Sequence, residues 1–593
     1  MTGGGDFSSF DDLKKLFGGG DDDDAQEASA GVGEDAPDAE DQEPSSGEDG
    51  DEEEEGEAGA RERIDSRPPG FGPMAHGPPA YRDEDSEEML LLGSFRVRTV
   101  FPEEVLLEVA NLPDDPLPSD YEGVEERADL RGERIFTIDG EDAKDFDDAI
   151  CIKPLADGGV QVSVHIADVS HYVRPGTRLD DEALARATSV YLPDQVVPML
   201  PEELSNGLCS LVPDRPRLAF SVFMDFDREG RRTSYTMTKS VIRSMRRCTY
   251  KQVQDLLDGV ENESTERIKD LEEDLRLFQA WTTRQQAIRD RKGSLRMQSG
   301  ERKFRFDADG NVVGVYKAET YFSQTLIEET ALAANQAVGD FFKLAGLPTI
   351  YRIHPEKDPE EQAEVLKNLE KLGLRVPKKE RLTGRDIGQM VRFVRSLPNA
   401  ASMVPRVMGL LERATYEVAD EEDEAAHFGL ARRHYLHFTS PIRRYPDLVV
   451  HRMLFDALTG GESALSALRE GEWVRELVVV AGHASTQAEV AEMAETAIGD
   501  LKLCQLMEPR IGEEFEAVVG RVNRGGFEVD LTQDYIRGYL PARTIGSQTI
   551  LEGTTLKIRT RRGTRVFREG DRIRVRVQDV DFVRLKIFFE LAG

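Results

Sequence analysis

Several features of other protein classes are missing from this sequence. No run of about 18 apolar residues is present, so no segment is suited to cross a bilayer as a helix. The start of the chain, MTGGGDFSSFDDLKKLFGGG, lacks the basic stretch and apolar core of a secretory signal. We therefore expect a cytoplasmic protein that is not integral to a membrane.

Cysteine is scarce as well. The 593 residues contain four cysteines, Cys151, Cys209, Cys248 and Cys504, and no two of them form a C-x-x-C pair. Nothing in their spacing supports a zinc site or a redox-active dithiol. They are predicted to be free thiols.

Positive charge is in the minority, and its distribution matters more than its sum. The chain has 76 Lys+Arg against 113 Asp+Glu, a net charge of −37. Residues 1–60 hold 22 of the acids and two lysines, or −20, which leaves −17 for the other 533 residues. Binding to nucleic acid requires local positive charge. A nucleic-acid path would therefore have to be a local basic channel.

The length and the shifts in composition predict four segments. Residues 1–85 combine acidic runs with Gly, Ser and Pro and are predicted to be a disordered acidic tail. A solubilising tail is one interpretation of this segment. Docking on a basic protein partner, or competition with nucleic acid for a basic channel, are the others.

The rest of the chain has a globular composition and predicts an α+β fold. Residues 86–130 form a short ordered segment, in which FRVRTVF is predicted to be a strand and EEVLLEVANL a helix. Residues 131–508 form a large body, β-rich from 135 to 230. Helical patterns follow at 252–259, 262–291, 323–346, in the 360s and at 445–505.

Residues 509–593 predict a small closed β-barrel of the oligonucleotide-binding type, because five short strands alternate with Gly-rich turns. From 511 onward, 15 Lys+Arg face 12 Asp+Glu, against the acidic trend. Phe527 and Tyr539 are interleaved with arginines, as on surfaces that stack bases and follow phosphates. Filling of the barrel core is the alternative role for each aromatic.

The strongest chemical signal is an acidic cluster in FTIDGEDAKDFDDAI, residues 136–150. It contains Asp139, Asp145, Asp147 and Asp148 after an apolar strand. Carboxylates that converge repel one another unless a divalent cation binds, and oxygen ligands favour Mg²⁺ or Mn²⁺. A merely acidic surface turn is one alternative. A calcium loop is another, although its twelve-residue spacing is absent.

This cluster resembles the acidic signature of the catalytic domain shared by ribonucleases II and R. Further blocks resemble that domain in the same order: HIADVSHYV (165–173), YLPDQVVPMLPEELSNGLCSL (191–211), IEETALAAN (327–335), YRIHPEKD (351–358) and HFGLARRHYLHFTSPIRRYPDLVVHR (427–452). The C-terminal barrel resembles the S1 RNA-binding domain of these enzymes. The resemblance implies a magnesium-dependent 3′-to-5′ exoribonuclease acting on single-stranded RNA and releasing nucleoside 5′-monophosphates.

The resemblance also implies roles for individual residues. Asp139 and Asp148 match metal ligands, Asp145 matches a supporting carboxylate, and Asp147 matches the one most critical for cleavage by a two-metal mechanism. Four further matches are implied: Arg443 to an arginine on the scissile phosphate, Tyr191 to an aromatic that stacks on the terminal base, and Glu328 and Glu495 to glutamates that line the RNA 3′ end. Outside the resemblance, the alternative for the pair Arg443 and Arg444 is a structural ion pair, and the alternative for the tyrosine is a place in the core.

The sequence departs from the family pattern in two places. The family has a Phe that clamps the last base where this chain has Met297, so weaker clamping is expected. About 45 ordered residues stand where full-length members carry two cold-shock domains, so lower affinity for long RNA is expected. A catalytically weak RNA-binding scaffold and an RNA 3′-end processing nuclease remain alternatives. A monomer is expected.

Overall fold

The computed structural model describes residues 86–295, 302–397, 399–419, 426–532 and 535–592. The acidic tail predicted for 1–85 therefore lies outside the described residues. The α-helices in this part of the chain are α1 (Glu87–Ser94), α2 (Glu103–Ala110), α3 (Arg178–Arg186), α4 (Tyr250–Leu257), α5 (Glu263–Glu266), α6 (Glu272–Lys292), α7 (Phe322–Leu344), α8 (Pro359–Lys371), α9 (Gly384–Arg395), α10 (Ala400–Met408), α11 (Tyr445–Thr459), α12 (Gly461–Leu468) and α13 (Gly471–Met507). None of the described helices is both long and apolar enough to traverse a membrane.

The strands confirm an α+β fold. In chain order they are β1 (Arg127–Asp129), β2 (Phe136–Asp139), β3 (Asp148–Pro154), β4 (Val160–Ala167), β5 (Val190–Tyr191), β6 (Val196–Val197), β7 (Pro216–Phe226), β8 (Arg232–Arg243), β9 (Arg246–Thr249), β10 (Arg302–Phe306), β11 (Val312–Lys317), β12 (Thr349–Ile353), β13 (Thr415–Ala419), β14 (Ala426–His427), β15 (Arg432–Arg433), β16 (Glu514–Asn523), β17 (Gly526–Leu531), β18 (Arg537–Pro541), β19 (Gln548–Glu552), β20 (Thr555–Thr560), β21 (Gly563–Arg568), β22 (Arg572–Asp581) and β23 (Lys586–Leu591).

A seven-stranded sheet forms the centre of the large body, in the order β1-β8-β7-β4-β3-β2-β9. Its pairs are antiparallel except β1 with β8 and β2 with β9. Strand β4 is buried at nearly every position, because helices cover the sheet. Helix α6 is fixed to the sheet by edge-to-face ring contacts, Phe278 with Phe136 and Trp281 with Phe226. This core positions the ends of β2 and β3, where the acidic cluster lies.

The five helical regions predicted in the body are confirmed, and one strand prediction near the N-terminus is wrong. Residues 95–101 contain no strand, although FRVRTVF alternates apolar and polar residues. Helix α1 ends just before them, and Arg96 has a left-handed backbone with φ 58°. Arg98 then pairs with Glu182 of α3 at 2.6 Å. The alternating side chains therefore pack or form ion pairs, and no strand among the described residues pairs with this segment.

The predicted C-terminal barrel is confirmed, as a closed sheet of β16, β17, β18, β23 and β22. The sequence patterns missed a separate three-stranded sheet in the order β19-β20-β21. The side chain of Phe527 has 0% exposure and packs on Phe567, with ring centroids 4.9 Å apart. Its ring has no face open to a base, so the structure does not support Phe527 as an RNA-stacking residue. The four cysteines are free, as predicted, and the structure shows that all four are buried.

Candidate active site

The acidic cluster occupies the connection between two neighbouring strands of the main sheet. Strand β2 ends at Asp139 and β3 begins at Asp148. Between them, the buried Phe146 donates its N–H to Oγ of Ser210 at 3.0 Å, and its carbonyl accepts from the N–H of Leu211 at 3.0 Å. These bonds fix the loop on both sides of Phe146. The neighbouring carboxylates are therefore held at the end of the sheet.

All four predicted aspartates line one cavity of about 350 Å³. Among the other residues that line it are Tyr191, Tyr250, Glu328, Asn335, Tyr435, Ser440, Arg443 and Arg444. The lining thus draws on residues from 139 to 444. Acidic side chains form one part of the wall, and two arginines form another.

Burial shapes the protonation of these carboxyl groups. Burial, together with the nearby charge of Asp148, raises the pKa of Asp139 to about 8. Burial also raises the pKa of Asp148 to about 6, although Arg443 opposes the shift. The pKa values of Asp145 and Asp147 are raised for the same reason. A desolvated group of carboxylates is stabilised by added positive charge.

The donor atoms fit a hard divalent cation. Oδ2 of Asp139 and Oδ2 of Asp147 are buried and accept no hydrogen bond from the described residues. Within the same part of the chain, no three His, Cys, Asp or Glu side chains already converge as a complete ligand set. Mg²⁺ commonly takes one or two carboxylates and completes its shell with water and substrate phosphate. Aspartates spread along a cavity wall suit that mode better than a cage made of protein alone.

The two adjacent arginines have different environments. Arg443 is partly exposed, its Nε lies 3.5 Å from Oδ2 of Asp147, and its Nη2 donates to Oγ of Ser440 at 3.1 Å. Arg444 forms a two-bond ion pair with the fully buried Asp447, at 2.7 and 3.0 Å. A planar cation at the cavity is suited to hold a phosphate. Arg443 is therefore the available cation, and Arg444 belongs to the structural ion pair that the sequence left as an alternative.

Tyr191 stands at the cavity with 40% of its surface exposed. Its hydroxyl donates to Oδ2 of Asp145 at 3.3 Å, and its backbone N–H donates to Oε1 of Glu495 at 2.7 Å. Just before it, the N–H of Ser189 donates to the carbonyl of Arg443 at 3.1 Å. The ring is thus exposed on a segment that is fixed at several points. Glu495 lies behind it and does not line the cavity.

Glu328 lines the cavity from helix α7 and is held by a buried cation. Nη1 of Arg289 lies 2.8 Å from Oε1 of Glu328 and 2.6 Å from Oε1 of Glu329. Sequence reasoning missed Arg289, whose position inside a charged helix gave no signal. It also missed Asn335, although Glu328 and Asn335 are seven residues apart and so share a helix face.

Comparisons with known proteins agree with this architecture. The RNB domain matches residues 127–460, and the S1 RNA-binding domain matches residues 508–591. Ribonuclease R of Thermotoga maritima is 38% identical over 83% of this chain and 68% of its own length. Ribonuclease R of Escherichia coli is 33% identical over 85% of this chain and 61% of its own length.

The chain belongs to the ribonuclease R family. It is therefore a hydrolase of the 3′-to-5′ exoribonuclease type. Two solved structures of lower identity share the fold. Mycoplasma genitalium RNase R in complex with ribose methylated single-stranded RNA has a TM-score of 0.75 at 24% identity, over 85% of this chain and 77% of that one. Yeast Ssd1, a pseudonuclease, has a TM-score of 0.60 at 19% identity, over 81% of this chain and 58% of that one.

The remaining predicted ribonuclease residues have mixed outcomes. Met297 lies outside the described residues, so its place opposite the terminal base stays a prediction. Tyr539 is partly exposed on the S1 barrel, and its hydroxyl donates to Oδ1 of Asn523 at 3.0 Å. It remains a candidate for base stacking, whereas Phe527 does not.

Proposed function

We propose that this ribonuclease R relative hydrolyses single-stranded RNA from the 3′ end, in RNA decay and processing, and releases nucleoside 5′-monophosphates with the help of two divalent cations. The observation that carries the proposal is the shared cavity of Asp139, Asp145, Asp147 and Asp148, with Arg443 at its wall. In the reaction, a water oxygen bonds to the terminal phosphorus. The bond from phosphorus to the preceding 3′ oxygen breaks, and the shortened RNA keeps a 3′-hydroxyl.

We assign the cations to the part of the cavity wall that carries the four aspartates, which we call the acidic wall. Asp139 and Asp148 would hold them, supported by Asp145 and Asp147, and the oxygen-only donor set favours Mg²⁺, with Mn²⁺ as the alternative. When bound, such ions supply a water of lowered pKa and stabilise charge on the leaving oxygen.

The protein side chains orient the substrate. We assign the scissile phosphate as the partner of the Arg443 guanidinium, and the contacts of Arg443 with Asp147 and Ser440 at the cavity support this role. The ring of Tyr191 offers a stacking surface for the terminal base, and its bond to Asp145 ties base position to the acidic wall. Glu328, which forms an ion pair with Arg289, would accept hydrogen bonds from the terminal ribose.

A labelled oligoribonucleotide tests the proposal directly. With a 5′ label and Mg²⁺, we expect a ladder that shortens by single nucleotides, release of 5′-monophosphates and loss of activity with a chelator. Internal fragments would indicate an endonuclease instead. Removal of only a short 3′ extension, with the rest of the RNA left intact, would indicate a 3′-end processing nuclease.

The main alternative is a catalytically inactive RNA-binding protein with the same fold, because yeast Ssd1, which shares the fold, is a pseudonuclease. Binding of RNA without any cleavage, under the same conditions, would favour that rival. The presence of all four aspartates and Arg443 around one cavity supports the catalytic alternative.

A further inference from the structure

The small sheet outside the S1 barrel has an unusual charge distribution. From 559 to 572 it and its edges present exposed arginine side chains that make no ion pair or side-chain hydrogen bond with the described residues: Arg559, Arg561, Arg562, Arg565, Arg568 and Arg572. By contrast, Arg574 and Arg576 on the neighbouring barrel strand pair with Glu514. In a chain of net charge −37, a cluster of uncompensated cations points to an anionic ligand.

The strand register shows which residues share the solvent face of this sheet. Leu556 and Phe567 are opposite each other and buried, so the alternate positions face outward. The outward positions form three rows that run across the three strands. The first row is Glu552, Thr555 and Arg568; the middle row is Ile550, Lys557 and Val566; the last row is Gln548, Arg559 and Thr564. One acid, Glu552, lies on the face, and Lys557 neutralises it at 2.7 Å. Arg559 and Arg568, at opposite ends of the face, form no ion pair with the described residues.

The middle row adds apolar surface between the two arginines. Ile550 is 59% exposed and Val566 is 43% exposed. A face with aliphatic groups on both sides of Lys557 and arginines at its ends suits a ligand with flat apolar groups along an anionic backbone. Single-stranded RNA has that chemistry.

The sheet is also held in a fixed place between the barrel and the catalytic body. Oγ1 of Thr549 in β19 donates to the carbonyl of Arg524 at 3.0 Å, next to Asn523, the partner of Tyr539. Directly after β21, the carboxylate of Glu569 accepts two bonds from Arg406 of α10, at 2.7 and 2.8 Å. Thr549 alternates with the outward-facing Gln548 and Ile550, so its bond fixes the opposite face of the sheet beside the barrel edge that carries Tyr539.

We propose that the solvent face of β19, β20 and β21 is a second RNA-binding surface, which holds the phosphate backbone of single-stranded RNA that extends beyond the catalytic cavity. The inference rests on the proposed function for the identity of the ligand as RNA. Arg559 and Arg568 contact phosphates, and the surface lies outside both the cavity and the five-stranded barrel.

The test compares RNA binding by two variants, each made in the full chain carrying Asp147→Asn so that substrate survives. One adds Arg559→Gln and Arg568→Gln. The control adds Arg178→Gln and Arg267→Gln, which remove the same charge from exposed arginines already paired with acids. Fluorescence anisotropy at several salt concentrations gives the dissociation constant for a short oligoribonucleotide and for a long one.

For the long RNA, we expect loss of two phosphate contacts to lower the slope of log affinity against log salt by about 1.4. The ratio of long-RNA to short-RNA affinity should fall about tenfold in the sheet variant and stay unchanged in the control. An unchanged slope would overturn the proposal. Tighter RNA binding would also overturn it, and would indicate that the face holds the acidic segment 1–60. Because binding is measured without cleavage, either result stands apart from whether the protein degrades RNA.

Discussion

The backbone N–H of Ile442 donates a hydrogen bond to Oδ1 of Asp147 over 2.9 Å. This bond joins residues 295 positions apart and ties the acidic loop to the segment that carries Arg443. It leaves Oδ2 of Asp147 as the atom that faces Arg443. One carboxylate thus has a structural oxygen and an oxygen available for chemistry.

The first prediction concerns that division of roles. In Asp147→Asn, the amide oxygen can still accept from Ile442, so the loop should keep its place while the charged oxygen is lost. We expect hydrolysis of a labelled oligoribonucleotide to fall by at least about a thousandfold, with RNA affinity retained. Glu141→Gln, an exposed carboxylate of the same loop, is the matched control. Near-normal cleavage by Asp147→Asn would contradict the assigned role.

The adjacent arginines should separate activity from stability. Arg443→Gln removes a partly exposed cation at the cavity, so kcat should fall about 10²- to 10³-fold. The free energy of unfolding should change little. Arg444→Gln leaves Asp447 buried without its partner, so the free energy of unfolding should fall by about 3–5 kcal/mol. Single-turnover kinetics and denaturant unfolding of both variants measure the contrast. Equal destabilisation by the two changes would show that Arg443 is structural as well.

Tyr191 offers a test of base stacking. Tyr191→Ala removes the exposed ring and should weaken binding of the RNA 3′ end by about 1–3 kcal/mol. Tyr191→Phe keeps the ring and loses only the bond to Asp145, so it should bind nearly as well as the unchanged protein. Competition binding with RNAs that carry a terminal base or an abasic terminus provides the measurement. The idea fails if the alanine variant discriminates between these RNAs as the unchanged protein does.

Cation binding should depend on pH in a defined direction. A carboxyl group with a raised pKa holds its proton more tightly in the folded protein, so deprotonation lowers metal-free stability as pH rises through that pKa. A cation needs the deprotonated form and competes with the proton. With pKa values of about 6 for Asp148 and about 8 for Asp139, the rise in Tm produced by Mg²⁺ should grow between those pH values.

The control for this prediction is Asp139→Asn, which removes the group with the higher pKa. Its Mg²⁺-induced rise in Tm should lose the part of the pH dependence nearest pH 8. A rise of equal size at both ends of the range, in the unchanged protein, would mean that cations do not bind at these carboxylates.

Much of the fold was readable from local patterns. Alternation in β17 places Phe527, Val529 and Leu531 on one face and Glu528 with Asp530 on the other, as the structure confirms. That same alternation held the signal that Phe527 is inside the barrel, because it shares a face with two aliphatic residues. FRVRTVF shows the limit of the method, since alternation indicates a face and does not supply a neighbouring strand.

The sequence alone determined that four aspartates lie within ten residues after a strand, and that a β-rich stretch is followed by helical segments in the body around them. Only the tertiary structure decided that Asp147 meets Ile442, that Arg443 faces the cavity while Arg444 pairs with Asp447, and that Glu495 supports Tyr191 from behind. The physical reason is the sequence distance over which each interaction acts. Side-chain periodicity and turn chemistry act between near neighbours, whereas the cavity is made by packing of segments hundreds of residues apart, which local patterns do not encode.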